Sequence, residues 1–111
     1  MKYKKKLVSV ILNCYNGSKY LREALISVQN QSFKNWELIF WDNQSSDQSA
    51  HIVKSFRHPK IRYFLAPNHT CLGEARSLAL SKSKGQWIAF LDCDDFWDKD
   101  KLKLQIAAIK A

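Results

Sequence analysis

The sequence predicts a single α/β domain whose sheet is mostly parallel. Short apolar runs alternate with segments in which apolar residues recur at helical spacing. Each intervening helix returns the chain so that the next strand starts in the same direction. The chain has 111 residues, 46% of them hydrophobic, which is enough for one modest core and argues against disorder. We therefore expect residues 1–111 to form one domain.

The first half of the chain predicts two strand–helix units. The run LVSVIL, residues 7–12, is typical of a buried strand, and residues 19–31 predict a helix because their apolar residues fall on one face. Those apolar residues are Tyr20, Leu21, Ala24, Leu25 and Val28. The run WELIFW, residues 36–41, predicts the second strand. A short helix follows it and carries Ile52, Val53 and Phe56.

The second half of the chain repeats this alternation. Residues 61–65, IRYFL, predict the third strand, and residues 73–82 predict a helix that Gly85 ends. Residues 87–91, WIAFL, predict the fourth strand, and residues 99–110 predict the last helix. The apolar residues at helical spacing are Ala75, Leu78 and Ala79 in the first of these helices and Leu102, Ile106 and Ile109 in the second.

Unusual polar residues follow three of the predicted strands. They are Asn13, Tyr15 and Asn16 after the first strand, Asp42 and Asn43 after the second, and Asp92 to Asp95 after the fourth. In an open parallel sheet, ligands bind beyond the carboxyl ends of the strands, near the point where the strand order reverses. One ligand could therefore contact all three groups.

The group after the fourth strand belongs to an acidic stretch, FLDCDDFWDKD. This stretch holds half of the ten carboxylates of a chain whose net charge is +8. They are Asp92, Asp94, Asp95, Asp98 and Asp100. Side chains two apart in an extended segment point the same way, so Asp92 and Asp94 can face one site while Cys93 points away. Asp98 and Asp100 are instead typical of a helix amino terminus, where negative charge is favoured.

Three segments of the chain carry a family resemblance. They are VSVILNCYNGSKYLREALISVQNQSFKNWELIFWDNQSSDQS, LGEARSLAL and GQWIAFLDCDDFW. In this order and spacing they look like the amino-terminal half of a family 2 glycosyltransferase with the GT-A fold. The resemblance covers nearly the whole chain and implies a sheet ordered 3-2-1-4. It also implies metal-dependent transfer of a sugar, with inversion, from a nucleotide-diphosphate donor, for which a UDP-sugar is the expected case.

The resemblance assigns the diphosphate and its cation to the acidic loop. Asp92 would lie towards the ribose, and Asp94 with Asp95 would hold the metal. Carboxylate oxygens are hard ligands that suit Mn²⁺ or Mg²⁺. A cation acting as a Lewis acid stabilises the charge that develops on the leaving nucleotide. Arg76, in LGEAR, matches a family arginine near the diphosphate, and a solvated helix face is the open alternative for it.

The resemblance assigns the nucleotide base to the loops after the first two strands. Tyr15 would stack on the base, and Asp42 would accept the imide N–H of uracil. Asn13 belongs to the same group of nucleotide-binding residues. Ordinary packing for Tyr15 and a turn-forming role for Asp42 are the open alternatives. Three positions depart from the residues that are commoner in the family: Asn13 stands in place of Pro, Asn43 in place of Asp, and Ser77 in place of Asn. The base and the sugar therefore stay undetermined.

The resemblance also places the general base, and the surface that binds a glycan or lipid-linked acceptor, beyond Ala111. We therefore expect no catalytic base within these residues and regard the chain as the donor-binding half of a longer enzyme. An apolar surface that would pack on the second half is then exposed, which favours self-association.

The expected location is the cytoplasm, because the three cysteines are odd in number and show no disulfide framework or metal-binding pair. Cys14, Cys71 and Cys93 are expected to be small buried residues. No apolar run approaches the ~18 residues of a membrane span. The residues expected to form a solvated basic tail, or alternatively a peripheral contact with an anionic membrane, are Lys2, Lys4, Lys5 and Lys6.

Two other functions fit parts of the sequence. The net charge of +8 and the 13% aromatic content suggest a nucleic-acid-binding module. The acidic loop would repel phosphates and no binding motif is present, so we expect no nucleic-acid partner. A receiver-like α/β signalling domain would need its acidic pair after the first strand, where Asn13 and Tyr15 stand instead.

Overall fold

The computed structural model describes residues 3–110, which form one sheet of four strands together with four helices. The strands are β1 (Lys4–Cys14), β2 (Trp36–Asp42), β3 (Ile61–Leu65) and β4 (Gly85–Phe90). The helices are α1 (Ser18–Gln29), α2 (Ser49–Ser55), α3 (Leu72–Leu80) and α4 (Lys101–Lys110). This alternation confirms the predicted α/β class.

The strands pair in parallel, and the sheet order is β3-β2-β1-β4, as expected. In this register Cys14 pairs with Asp42, and Asp42 pairs with Leu65. The carboxyl ends of β1, β2 and β3 therefore lie at one edge of the sheet. β4 pairs with the other side of β1, where Ile11 lies opposite Phe90.

Two hydrophobic clusters cover the two faces of the sheet. Alternation along β1 sends Val10 and Leu12 to one face, where they cluster with buried residues of α1, α2 and α4. Ile11 points to the other face and clusters with Ala75 and Ala79 of α3. The result is three layers, with β1 at the centre of the core.

The sequence predicted a solvated basic tail near the amino terminus, but the structure shows a strand there. β1 begins at Lys4, so residues 4–6 are exposed strand residues, and Lys2 lies outside the described part of the chain. The strand starts early because the Lys4 backbone N–H donates to the Lys84 carbonyl at 2.6 Å and extends the pairing with β4. Within residues 3–110, no helix combines the length and apolar character needed to cross a bilayer.

Three further residues differ from their predicted settings. Ile109, which was predicted on the apolar face of the last helix, is 61% exposed. Tyr20 is 48% exposed rather than buried in the α1 face, and its ring lies 5.3 Å from the Lys19 ammonium. Gly85 begins β4 rather than ending α3. A Cβ at this glycine would lie 2.6 Å from the Leu7 carbonyl oxygen, so glycine permits the close approach of β4 to β1.

Glu37 carries a buried polar network at the amino-terminal edge of the sheet. Its Oε2 accepts hydrogen bonds from the Ser9 hydroxyl and from the Lys84 backbone N–H, both at 2.6 Å. Its Oε1 accepts a hydrogen bond from the Arg62 guanidinium at 2.9 Å. The network therefore ties β2 to β1, to β3 and to the chain entering β4.

Glu37→Ala is expected to lower the free energy of unfolding by about 2 kcal/mol, because it leaves Ser9 and Arg62 without their acceptor. The partial exposure of Arg62 keeps the loss below that of a fully buried pair. Urea unfolding followed by circular dichroism measures the change. Glu23→Ala, at an exposed position on α1, is the matched control and should cost less than about 0.5 kcal/mol. Equal effects of the two substitutions would contradict the role of the network.

Candidate functional site

The carboxyl-terminal edge of the sheet carries a cavity of about 260 Å³. Its walls come from the end of β1, from the residue after β2, and from the chain that leads into α3. The residues that line it are Asn13, Cys14, Tyr15, Asn43, His69, Thr70, Cys71, Leu72 and Ala75. A ligand position at this edge is the one that the parallel topology predicts.

Tyr15 and His69 form an aromatic pair at the cavity. Their ring centroids are 4.4 Å apart and the rings are tilted by 58°. The His69 Nδ1 lies 3.0 Å from the Asn43 carbonyl oxygen, which can only accept, so Nδ1 carries the proton. Tyr15 is 55% exposed and is free to present its ring face to a planar ligand.

Asn43 holds the chain that leads into α3. Its side-chain Nδ2 donates to the Thr70 carbonyl at 2.8 Å, and its Oδ1 accepts from the Thr70 backbone N–H at 3.0 Å. An ionised aspartate could not make the first of these bonds, because it has no proton to donate. Sequence reasoning missed this role, although an amide in place of the family's commoner aspartate was the available signal.

Asp42 lies behind the cavity rather than in its lining. The residue is 1% exposed, and its carboxylate is already hydrogen bonded at both oxygens. The Tyr63 hydroxyl donates to Oδ2 at 2.6 Å, and the Ser45 backbone N–H donates to Oδ1 at 2.8 Å. Burial, together with this hydrogen bond and the nearby charge of Asp42, raises the pKa of Tyr63. The carboxylate thus holds the turn after β2 and anchors β3.

Two buried polar atoms in the cavity lining have no hydrogen-bond partner among the residues that the structure describes. They are the Asn13 Oδ1 and the Thr70 Oγ1. Leaving such an atom unpaired costs roughly 1–3 kcal/mol. A ligand or water that donates to Asn13 would recover that loss.

The loops after β1 and β2 are tied to each other. Asn16 adopts a left-handed backbone, with φ of 53°, and its Oδ1 accepts the Ser46 backbone N–H at 2.7 Å. Asp47 accepts the backbone N–H groups of Ser18 at 3.1 Å and Ser49 at 3.0 Å. Although burial opposes ionisation, these hydrogen bonds lower the pKa of Asp47 to about 2. The carboxylate therefore stays ionised over the physiological range.

The acidic loop after β4 forms an exposed turn. The Asp95 backbone N–H donates to the Asp92 carbonyl at 3.0 Å, and the side chains of Asp92, Asp94 and Asp95 are exposed. The Arg76 guanidinium lies 4.0 Å from the Asp92 carboxylate and 5.3 Å from the centre of the Phe90 ring. The structure thus places the positively charged side chain of Arg76, on α3, next to the acidic loop.

A divalent cation fits this loop only with help from other ligands. In residues 3–110, no group of three or more His, Cys, Asp or Glu side chains is arranged to hold a metal ion. Asp94 and Asp95 nevertheless present adjacent exposed carboxylates. Mg²⁺ and similar cations are commonly held by one or two carboxylates, with water and substrate phosphates completing the coordination. The donor set is therefore compatible with a cation that binds together with a phosphorylated ligand.

The acidic loop packs against the loop after β1 through two cysteines. A Cβ placed on Gly17 would lie 2.2 Å from the Cys93 Sγ and 3.2 Å from the Cys14 Sγ, so only glycine leaves room for both. The hydrogen bond from Cys93 lowers the pKa of Cys14 to about 7, and the same contact raises that of Cys93. Cys14 is buried and Cys93 half-buried, but Cys71 is exposed, so the prediction that it is a buried residue was wrong.

The chain matches known proteins over nearly its full length. The family model described as "Glycosyl transferase family 2" matches residues 9–111. An uncharacterized glycosyltransferase of Haemophilus influenzae is 37% identical over 90% of this chain and 41% of that protein. The glucosyltransferase WfgD of Escherichia coli, named UDP-Glc:alpha-D-GlcNAc-diphosphoundecaprenol beta-1,3-glucosyltransferase, is 37% identical over 91% of this chain and 40% of that protein. The chain thus spans about two fifths of these relatives' length.

Solved structures agree with these sequence matches. S. aureus TarS 1-349 in complex with UDP-GlcNAc superposes with a TM-score of 0.86 and 32% identity, over 93% of this chain and 31% of that one. Mannosyltransferase PcManGT from Pyrobaculum calidifontis, in complex with GDP-Man and Mn²⁺, gives a TM-score of 0.79 at 24% identity, over 86% of this chain and 30% of that one. The second likeness bears on the fold alone. On the family match, the relatives and the fold together, this chain belongs to glycosyl transferase family 2 and has the GT-A fold.

Proposed function

We propose that this chain binds the nucleotide-diphosphate sugar, and its cation, for transfer of the sugar to an acceptor. One observation carries the proposal: the acidic loop contacts the chain just after β1, where Cys93 packs against Gly17. The end of β1 also lines the cavity. A nucleotide base in the cavity and a diphosphate at the acidic loop are then parts of one ligand. The family membership and the complex of TarS with UDP-GlcNAc support this assignment.

The base occupies the cavity beside Tyr15. Its ring stacks on the Tyr15 face, and its imide N–H donates to the Oδ1 of Asn13, which has no hydrogen-bond partner within residues 3–110. Uracil is the base that we propose, since TarS is described in complex with UDP and with UDP-GlcNAc. Asp42 takes part indirectly in this proposal, because its buried carboxylate holds the turn that leads from β2 past Asn43.

The diphosphate lies between the acidic loop and α3. Asp92 contacts the ribose, Asp94 with Asp95 holds Mn²⁺ or Mg²⁺, and Arg76 adds positive charge near the phosphates. When bound, the cation supplies Lewis-acid stabilisation of the charge on the leaving nucleotide. The complex of PcManGT with GDP-Man and Mn²⁺ makes a divalent cation reasonable for this fold.

The acceptor side of the reaction is assigned to a second half of a longer enzyme. Curated relatives extend well beyond the matched region, since the chain spans 41% and 40% of two of them. We propose that this second half supplies the general base for an inverting displacement. The name of WfgD supports a lipid-linked acceptor rather than a soluble one.

We propose a cytoplasmic location with peripheral contact at an anionic membrane, and a basic cavity at the opposite edge of the sheet supports it. The cavity measures about 370 Å³, and its lining includes Lys4, Lys5, Lys60, Arg62 and Lys84. Arg62 is paired with Glu37, which leaves the lysines to attract anionic lipid headgroups.

Self-association through the exposed Ile88 and Phe90 of β4 is a further proposal.

Asp94→Ala is expected to abolish the Mn²⁺-dependent part of UDP binding, because one of two cation ligands is lost. Calorimetric titration with UDP, with and without Mn²⁺, measures the change. Asp98→Ala is the matched control, since Asp98 lies in the same acidic stretch but has no proposed role at the cation, and it should leave the affinity within about twofold. Retention of the Mn²⁺ dependence in Asp94→Ala would remove the acidic loop from the proposed site.

Tyr15→Ala is expected to weaken UDP binding about tenfold, because stacking on an aromatic ring is worth roughly 1–3 kcal/mol. The same titration, made at saturating Mn²⁺, measures the loss. Tyr20→Ala removes a tyrosine of similar exposure on α1 and is expected to leave the affinity unchanged. If both substitutions act alike, the base does not bind at Tyr15.

A further inference from the structure

Cys14 and Cys93 are 79 residues apart in the chain (93 − 14), yet their thiols meet at the candidate site. Both sulfurs converge on the bare Cα of Gly17, where a Cβ would lie 2.2 Å from Cys93 Sγ and 3.2 Å from Cys14 Sγ. Cys14 is the last residue of β1, and Cys93 is the middle residue of the Asp92-Cys93-Asp94 segment.

The surroundings of the two thiols differ. Cys14 is buried and lies 3.5 Å from the Ser49 hydroxyl, whereas Cys93 is half-buried on the outer side of the pair. Cys93 is therefore the more accessible of the two thiols, and Cys14 is the more enclosed. Cys71 is exposed at the start of α3 and belongs to neither side of this contact.

We propose that Cys14 and Cys93 form a reversible disulfide that fastens the acidic loop to the end of β1. In a reducing cytoplasm, such a bond is transient and responds to an oxidant. The oxidant that we assign is a peroxide, and a small-molecule thiol restores the reduced pair.

The reaction balances as a two-electron oxidation of the protein. One of the two sulfurs attacks hydrogen peroxide, so that an S–O bond forms, the O–O bond breaks and one water leaves. The other sulfur then attacks the sulfenic acid. The S–S bond forms, the S–O bond breaks, and the leaving hydroxide takes the proton of the second thiol as a second water. Two thiols and one peroxide thus yield one disulfide and two waters.

The consequence for binding rests on the proposed function. Covalently bonded sulfurs lie closer than sulfurs that are not bonded, so oxidation draws Cys93 towards β1 and moves the flanking Asp92 and Asp94. A displacement of about 1 Å can cost up to roughly a hundredfold in a positioned site. We expect the oxidised chain to bind UDP with Mn²⁺ about tenfold more weakly than the reduced chain.

Peroxide treatment of the whole chain, followed by alkylation and peptide mass mapping, tests the proposal. The expected product is a Cys14–Cys93 cross-linked peptide that dithiothreitol removes. Cys71→Ser should keep the cross-link, and Cys93→Ser should lose it. Oxidised protein in which Cys14 and Cys93 are both still alkylated, or in which either is joined to Cys71, overturns the proposal.

Titration of the oxidised and reduced chain with UDP and Mn²⁺ completes the experiment. A tenfold loss that dithiothreitol reverses supports the coupling to the acidic loop, and equal affinities overturn it. If the reduced chain binds no UDP, the proposed function fails, while the mass mapping still decides whether the disulfide forms.

Discussion

The parallel register of β1 with its neighbours is the constraint on which the rest of this structure depends. Because Cys14 lies opposite Asp42, and Ile11 opposite Phe90, the chain leaves β1, β2 and β4 at the same edge. The polar groups of the candidate site lie where the chain leaves these strands, on the chain leading into α3, or, for Arg76, on α3 itself. A slip of one residue in β1 would turn Asn13 away from the cavity and Cys14 out of the core.

The loops at this edge are held by hydrogen bonds of the protein itself. Asn43 holds Thr70 through two hydrogen bonds, and Asp47 accepts the backbone N–H groups of the first residues of α1 and α2. Binding of a ligand therefore does not have to order these segments, which reduces its entropic cost. Two cavity-lining atoms without a hydrogen-bond partner among the described residues remain available to a ligand, namely Asn13 Oδ1 and Thr70 Oγ1.

Periodicity in the sequence was sufficient to predict all eight elements, because apolar spacing reflects burial directly. The grouping of polar residues at the strand ends was also predicted from the residues themselves, whereas the strand order and the individual roles of the site residues came from the resemblance. Other features depend on distances that no local pattern contains. The start of β1 depends on a hydrogen bond to Lys84, and the role of Asn43 depends on the position of Thr70. The sequence predicted that Cys93 points away from the acidic site. It could not predict that Cys93 then contacts Cys14 and Gly17, because only the folded sheet brings these residues together.

The central claim is that three loops at one edge hold a single nucleotide diphosphate bridged by a cation. A crystal structure of the chain soaked with UDP and Mn²⁺, with anomalous diffraction data collected near the manganese edge, tests it most directly. The account predicts a manganese peak within coordination distance of Asp94 and of a diphosphate oxygen, with the uracil ring against Tyr15. Ordered UDP away from Tyr15, or manganese bound elsewhere than at the acidic loop, would contradict it.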